Sequence, residues 1–324
     1  PFAPGSLATF TLACPWDGAA HDIRFLLTTP DARAGNNSVA INTKSVAFLS
    51  YIDASYYESF RFQTTNWANA VTDDLIDWIQ YHMARFNQMF ASANCAKRVH
   101  YDVLELLADT APDPAVDTLP FAVFPFRFYA HEAPYSYRNS GWYNDADDID
   151  YGYLHEMGHQ LGLIDIYQLD LSGEMNQVSG LGYTGPDDLM RACSPFFSPH
   201  SALAMNHWLD QAHGYFGQYL YGIPAEVKMR FLTRAGQPLH GAAVKVYQLE
   251  ERPGEGRLIT PQVKAQGLTD SNGVLVLPNV PIDPAKVPPL PTGDVLRANP
   301  FGYVAVTGAN GVLHFRLEYE GVVD

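Results

Sequence analysis

The spacing of apolar residues changes character near Pro224, and that change divides the chain. Before it, long stretches repeat apolar residues at helical intervals. After it, "EVKMRFLT", "AAVKVYQLE", "VLVLP", "YVAVTG" and "LHFRLEY" alternate over a few residues each, with "RAGQPLHG", "DSNG" and "GANG" as turns. A period of two gives a strand with one inward face, and a period near 3.6 gives a helix with one inward stripe. The 324 residues are therefore expected to form an α+β domain followed by an all-β sandwich. The expected segments are an N-terminal β stretch over 1–40, the α+β domain over 41–223 and the sandwich over 224–324. "VPIDPAKVPPLPTGD" (280–294) is too rich in Pro for a strand and reads as a long irregular connection.

Within the first two segments the elements follow from pattern and punctuation. "LATFTLAC" and "HDIRFLLTT" read as short strands that could form a hairpin, and "TKSVAFLSYI" (43–52) as a buried strand. Residues 72–94 give the clearest helix: Thr72 suits the N-cap, and Leu75, Ile79, Met83, Phe86, Phe90 and Ala93 make one apolar face. His82 lies beside that face and reads as a structural histidine. Residues 98–109 read as a strand, with a helix as the alternative. "FAVFPFRFYA" (121–130) is strongly β by its aromatics, and Pro125 places it at a sheet edge. A second helix is expected from about Asp147 to Gly162, with Asp147, Asp148 and Asp150 at its positive end. A third starts with Ser198 as cap and Pro199 at its first position, with Leu203, Trp208 and Leu209 as apolar contacts.

The chemistry is concentrated in "YLHEMGHQLGLIDIYQLD" (153–170). His155 and His159, four apart, project from one helix face, the separation two imidazoles need to reach one zinc. Glu156 points to the side, where a carboxylate can take a proton from water without becoming a ligand. Gly162 lets the helix stop and the chain reverse, so that Asp165 can return as a third ligand. Asp170, Glu174, Asp187 and Asp188 are further candidates for that position. A bare H-E-x-x-H is only suggestive, but Gly162 and Asp165 at fixed offsets make coincidence much rarer. The competing reading is a surface helix carrying ordinary polar residues.

"HEMGHQLGLID" looks like the H-E-x-x-H-x-x-G-x-x-D version of the metzincin zinc-peptidase signature. With "GLIDIY" followed by "DDLMRAC", residues 120–222 resemble immune inhibitor A-like metallopeptidases, although Ile164 stands where that family usually carries Pro. The resemblance implies a zincin-like domain, a mixed sheet plus the motif helix, and a secreted zinc endopeptidase acting on proteins or peptides. It implies His155, His159 and Asp165 as ligands, Glu156 as general base and Met190 as the methionine of the turn beneath the metal. It also implies that the edge strand at 121–130 lines the cleft. A transition-state stabiliser is needed as well, for which Tyr167, Tyr183, His200 and His207 are candidates. "GQPLHGAAVKVYQ" and "LTDSNGVLVLPNV" resemble the Ig-like or carboxypeptidase-regulatory-like sandwiches attached to secreted bacterial enzymes, which implies a spacer or stabilising module.

Composition limits the partners. Lys plus Arg number 20 and Asp plus Glu 35, a formal net charge of −15, which argues against nucleic acid and against an anionic membrane surface. No apolar run approaches the roughly 20 residues of a membrane span. "DADDID" (145–150) is a candidate calcium site, although it lacks the Gly and terminal Glu of an EF-hand loop. Cys14, Cys95 and Cys193 allow one bridge, such as Cys14 to Cys95, or three thiols. The chain starts without Met, as a trimmed product does, so the lack of a signal peptide in "PFAPGSLATFTL" says little about location.

Overall fold

A computed structural model of the chain describes residues 22–26, 38–42, 45–95, 98–113, 123–130, 148–208, 226–277, 279 and 311–323. Over these residues the protein is mixed α/β, with several sheets and few helices. Strand β1 (Asp22–Leu26) pairs antiparallel with β2 (Ser38–Asn42). Strand β3 (Ser45–Asp53) is the centre of a parallel sheet, flanked by β4 (Arg98–Leu107) and β5 (Val123–Phe128). Phe48 through Asp53 are all buried, as befits a parallel strand covered on both faces.

A parallel pair needs a crossover. Between β3 and β4 it is supplied by α1 (Ala54–Asn66) and α2 (Leu75–Ser92). The apolar face expected of α2 is buried, with Leu75, Ile79, Phe86 and Phe90 at 0% exposure. Its N-cap is Asp74 rather than Thr72, because the Asp74 carboxylate accepts the Asp77 N–H at 3.0 Å. Thr72 is buried instead. Helix α1 had no counterpart in the sequence reading: it buries only Tyr56, Phe60 and Thr64, and leaves Phe62 exposed.

Strand β5 sits at an edge of the described parallel sheet, with Pro125 opposite Leu49. Pro125 fits there because an edge strand can leave one side without donors. Phe126 and Phe128 of β5 pack on Tyr153 of α3 (Tyr151–Gln160), at ring centroid distances of 5.5 and 5.8 Å. The edge strand and the motif helix therefore share one core.

His82 joins α2 to the start of α3. Its Nε2 accepts the Asp150 N–H at 2.7 Å, so its Nδ1–H donates to the Trp78 carbonyl at 2.8 Å. Burial pulls its pKa from 6.5 down to about 3, against the smaller opposing effect of the Trp78 carbonyl. Between those values an unfolded chain takes up a proton that the folded chain excludes. Stability contributed by neutral His82 is thus fully present above about 6.5 and is lost as pH falls toward 3. The expected slope is on the order of 1.4 kcal/mol per pH unit. Urea unfolding at several pH values should show this slope in the native chain and a shallower one in His82→Gln; parallel slopes contradict the assignment.

The C-terminal residues form two packed β layers. Strands β6 (Val227–Arg230) and β10 (Val274–Leu277) pair antiparallel. Strand β7 (Ala243–Arg252) is the hub of the other sheet, pairing with β8 (Gly256–Ile259), β9 (Ala265–Leu268) and β11 (Leu313–Tyr319). Strand β12 (Val322–Val323) extends that sheet beyond β11. Val244 and Val246 of one layer share a buried cluster with Leu275 and Leu277 of the other.

This β region also contacts the segment that follows α3. Leu171 is buried with Tyr247, Leu249, Ile259 and Val312, and the Gln177 N–H bonds the Ile259 carbonyl at 2.9 Å. The boundary near Pro224, "LATFTLAC", "YVAVTG" and the Pro-rich stretch at 280–294 lie outside the described residues. Helix α5 (Pro199–Trp208) starts where expected, but Leu203 is 71% exposed while Ala202 and Met205 are buried. Residues 202 and 205 stand three apart on one face, and 203 is turned away from it. No described helix is long and apolar enough to cross a membrane.

Candidate metal centre

Helix α3 begins later than the sequence pattern suggests. Of the three aspartates at its start, Asp150 is the N-cap, accepting the Tyr153 N–H at 3.0 Å. Asp150 is buried and committed to that cap, Asp148 is exposed, and residues 145–147 of the candidate calcium cluster lie outside the described residues. Leu154, Met157 and Leu161 anchor the helix in the core, each at 0% exposure. That anchoring fixes the direction of the adjacent face, which carries His155 and His159.

Beyond α3 the chain reverses at Gly162, whose φ of 80° is in the left-handed region that favours glycine. The Leu163 N–H reaches back to the Gly158 carbonyl at 3.1 Å and closes the helix end. Asp165 then opens a 3-10 turn at Ile166–Leu169 without spending its carboxylate on a cap. That carboxylate, 1% exposed, stands between the two histidines. Asp165 Oδ1 is 3.0 Å from His155 Nε2 and 3.1 Å from His159 Nε2.

The other nitrogen of each ring is held by the backbone. His155 Nδ1 meets the Leu189 carbonyl at 3.0 Å, and His159 Nδ1 meets the Leu163 carbonyl at 2.9 Å. A carbonyl accepts only, so each Nδ1 carries a proton, and each Nε2 can offer a lone pair to a metal. The rings stand edge to face at 4.8 Å between centroids. Half-buried Glu156 lies beside them: ligand atoms of His155, Glu156 and His159 are all within 4.8 Å of one another.

Two imidazole nitrogens and a carboxylate oxygen are a donor set that suits zinc. Ligands of one tetrahedral zinc at 2.0–2.1 Å stand about 3.3 Å apart. The 3.0 and 3.1 Å separations at Asp165 are close to that spacing, so these residues fit the metal. With no metal charge, the same proximity makes an ion pair. Burial opposes protonation of His155, but its hydrogen bonds to Asp165, Cys193 and the Leu189 carbonyl outweigh it and lift the pKa to about 10. Burial likewise opposes ionisation of Asp165, and its bonds to His155, His159 and Tyr167 reverse that and hold the carboxyl well below the usual range.

The remaining sequence candidates separate clearly. Tyr167 donates its hydroxyl to Asp165 Oδ2 at 2.6 Å, and its ring lies parallel to that of His155. Burial and the Asp165 bond push that hydroxyl's pKa up, while the charge of Arg257 works the other way. Tyr183 is bonded instead to His314 Nδ1 on β11, at 3.1 Å. His200 is exposed on α5, and the His207 side chain lies outside what is described.

Among the alternative third ligands, Asp188 is buried and caps α4 (Leu189–Ala192), accepting the Met190 and Ser198 N–H groups. Asp170 is committed to the Gly185 N–H and Arg191. Glu174 and Asp187 are exposed. Asp165 alone of these five is described in contact with the histidines. Buried Cys95 donates its thiol to Asn206 Oδ1 at 3.2 Å, Cys193 is an exposed free thiol, and Cys14 lies outside the described residues.

Met190 is fully buried against α3 at Gly158. A Cβ at 158 would stand 2.5 Å from the Met190 sulfur and 3.2 Å from its methyl. The glycine between the histidines thus leaves room for the buried Met190 thioether, which would have to shift beside a larger residue, and H-E-x-x-H spacing does not reveal this. Gly158→Val is expected to lower the unfolding free energy by about 1–3 kcal/mol. Urea titration checks this, and a variant as stable as the native chain contradicts the packing account.

Comparison with protein-family models, with curated proteins and with solved structures returned no match.

Proposed function

We propose that the protein is a secreted zinc endopeptidase of the metzincin type, resembling immune inhibitor A-like enzymes, with a zincin-like domain followed by an Ig-like sandwich. The observation that carries this reading is the convergence of His155 Nε2 and His159 Nε2 on Asp165 Oδ1, with both Nδ1 atoms held by carbonyls. Secretion and the family rest on the sequence resemblance.

In this reading His155, His159 and Asp165 hold the metal. Zinc, when bound, acidifies water and polarises a carbonyl. Glu156 takes the proton of the attacking water and passes it to the leaving amine nitrogen as the C–N bond breaks. Tyr167 keeps Asp165 aimed between the imidazoles through its 2.6 Å hydrogen bond. An extended peptide would add to β5, at an edge of the described sheet, by main-chain hydrogen bonds, with one donor fewer at Pro125.

Metal analysis of the purified protein, together with cleavage of unfolded casein before and after chelation, tests the proposal. Zinc with chelator-sensitive cleavage is the expected result. Zinc without cleavage points to hydrolysis of a non-peptide amide, and absence of zinc to a non-catalytic binding module.

A further inference from the structure

We propose that Arg257, on the C-terminal sheet, is a positioning residue of the metal centre, acting through Tyr167 on Asp165; this rests on the zinc reading above. Arg257 lies on β8, and its Nη1 donates to the Tyr167 carbonyl at 3.2 Å and to Gln168 Oε1 at 2.8 Å. One cation therefore grips the backbone of residue 167 and the side chain of residue 168. The Tyr167 hydroxyl in turn donates to Asp165 Oδ2, while Oδ1 faces the two histidines. Two hydrogen bonds in series, through residue 167, thus run from the β layers to the ligand carboxylate.

The contact is not an isolated surface pair. Two residues along β8, Ile259 forms a parallel bridge with Asn176 and accepts the Gln177 N–H. Buried Leu171 and Leu249 continue the same seam. The loop that carries Asp165 and Tyr167 is therefore held between α3 on one side and β8 on the other. The C-terminal β region is then part of the site and more than a spacer. Residues that hold a ligand in place commonly contribute 10–100-fold to metal affinity, about what this contact is asked to supply.

Zinc affinity, read by competition with a chromophoric chelator, tests this in the full-length protein. Arg257→Met should weaken zinc binding by roughly 10-fold. Arg257→Lys should recover part of that loss, because an ammonium keeps the charge and the donors but ends short of the guanidinium Nη1 that meets both acceptors. Tyr167→Phe should weaken zinc as well, and adding Arg257→Met to it should change the affinity by no more than about twofold, since the two act along one path.

Should Arg257→Met fail to fold, Arg257→Lys carries the test, with an affinity below that of the native chain. Native affinity in a folded Arg257→Met, or effects that multiply in the double variant, overturns the proposal and leaves the zinc reading intact. A native chain that binds no zinc overturns both.

Discussion

Glu156→Gln is expected to remove turnover and to leave zinc bound. Gln keeps the size and shape of the side chain but cannot accept a proton. In the structure Glu156 stands beside the imidazole pair, and the oxygen between their Nε2 atoms belongs to Asp165. On the proposed reading the variant therefore loses the base and keeps the ligands. General base catalysis contributes typically 10²–10⁴-fold, so kcat should fall by about that factor. Zinc content should match that of the native chain, in contrast to His155→Ala, which removes a ligand. Native kcat in Glu156→Gln, or zinc loss as severe as in His155→Ala, contradicts the role.

The second large effect concerns Asp165. Asp165→Ala leaves two imidazoles facing the site with no carboxylate between them. Its cost in zinc affinity should exceed the roughly 10–100-fold typical of residues that only support a ligand. Asp170→Ala and Glu174→Ala are the controls. Asp170 is tied to Gly185 and Arg191, and Glu174 is exposed, so neither change should alter zinc affinity more than slightly. Chelator titration at a temperature where all three are folded compares them. Tight zinc binding by Asp165→Ala with release by one of the others assigns the ligand to that residue.

Much of this juxtaposition was legible because it is local. The histidines, Gly162 and Asp165 span eleven residues, and helix geometry with one left-handed glycine suffices to bring them together. The face of α2 and strands β6, β7, β10 and β11 were likewise readable from period alone. What escaped depends on distant partners. Asp147, Asp148 and Asp150 all suit a helix start, and the choice falls on Asp150, whose N–H is held by His82 from 68 positions away.

Tyr167 and Tyr183 look alike in sequence. One reaches Asp165 two residues away, while the other is drawn to His314 across 131. Arg257 gave no signal, because its partner Gln168 is 89 residues distant and the pattern of β8 does not mark the contact. Helix α1 was missed for a different reason. Only three of its thirteen residues are buried, so the polar remainder hides the period.

Zinc K-edge X-ray absorption on the purified protein tests the central claim most directly, because it reads the ligand atoms themselves. The account predicts a nitrogen and oxygen shell, two imidazoles at about 2.0–2.1 Å with carboxylate or water oxygens at a similar distance. The free thiol of Cys193, whose side chain reaches His155, supplies the contrasting outcome. A sulfur scatterer near 2.3 Å, or a protein that takes up no zinc at all, contradicts a centre built from His155, His159 and Asp165.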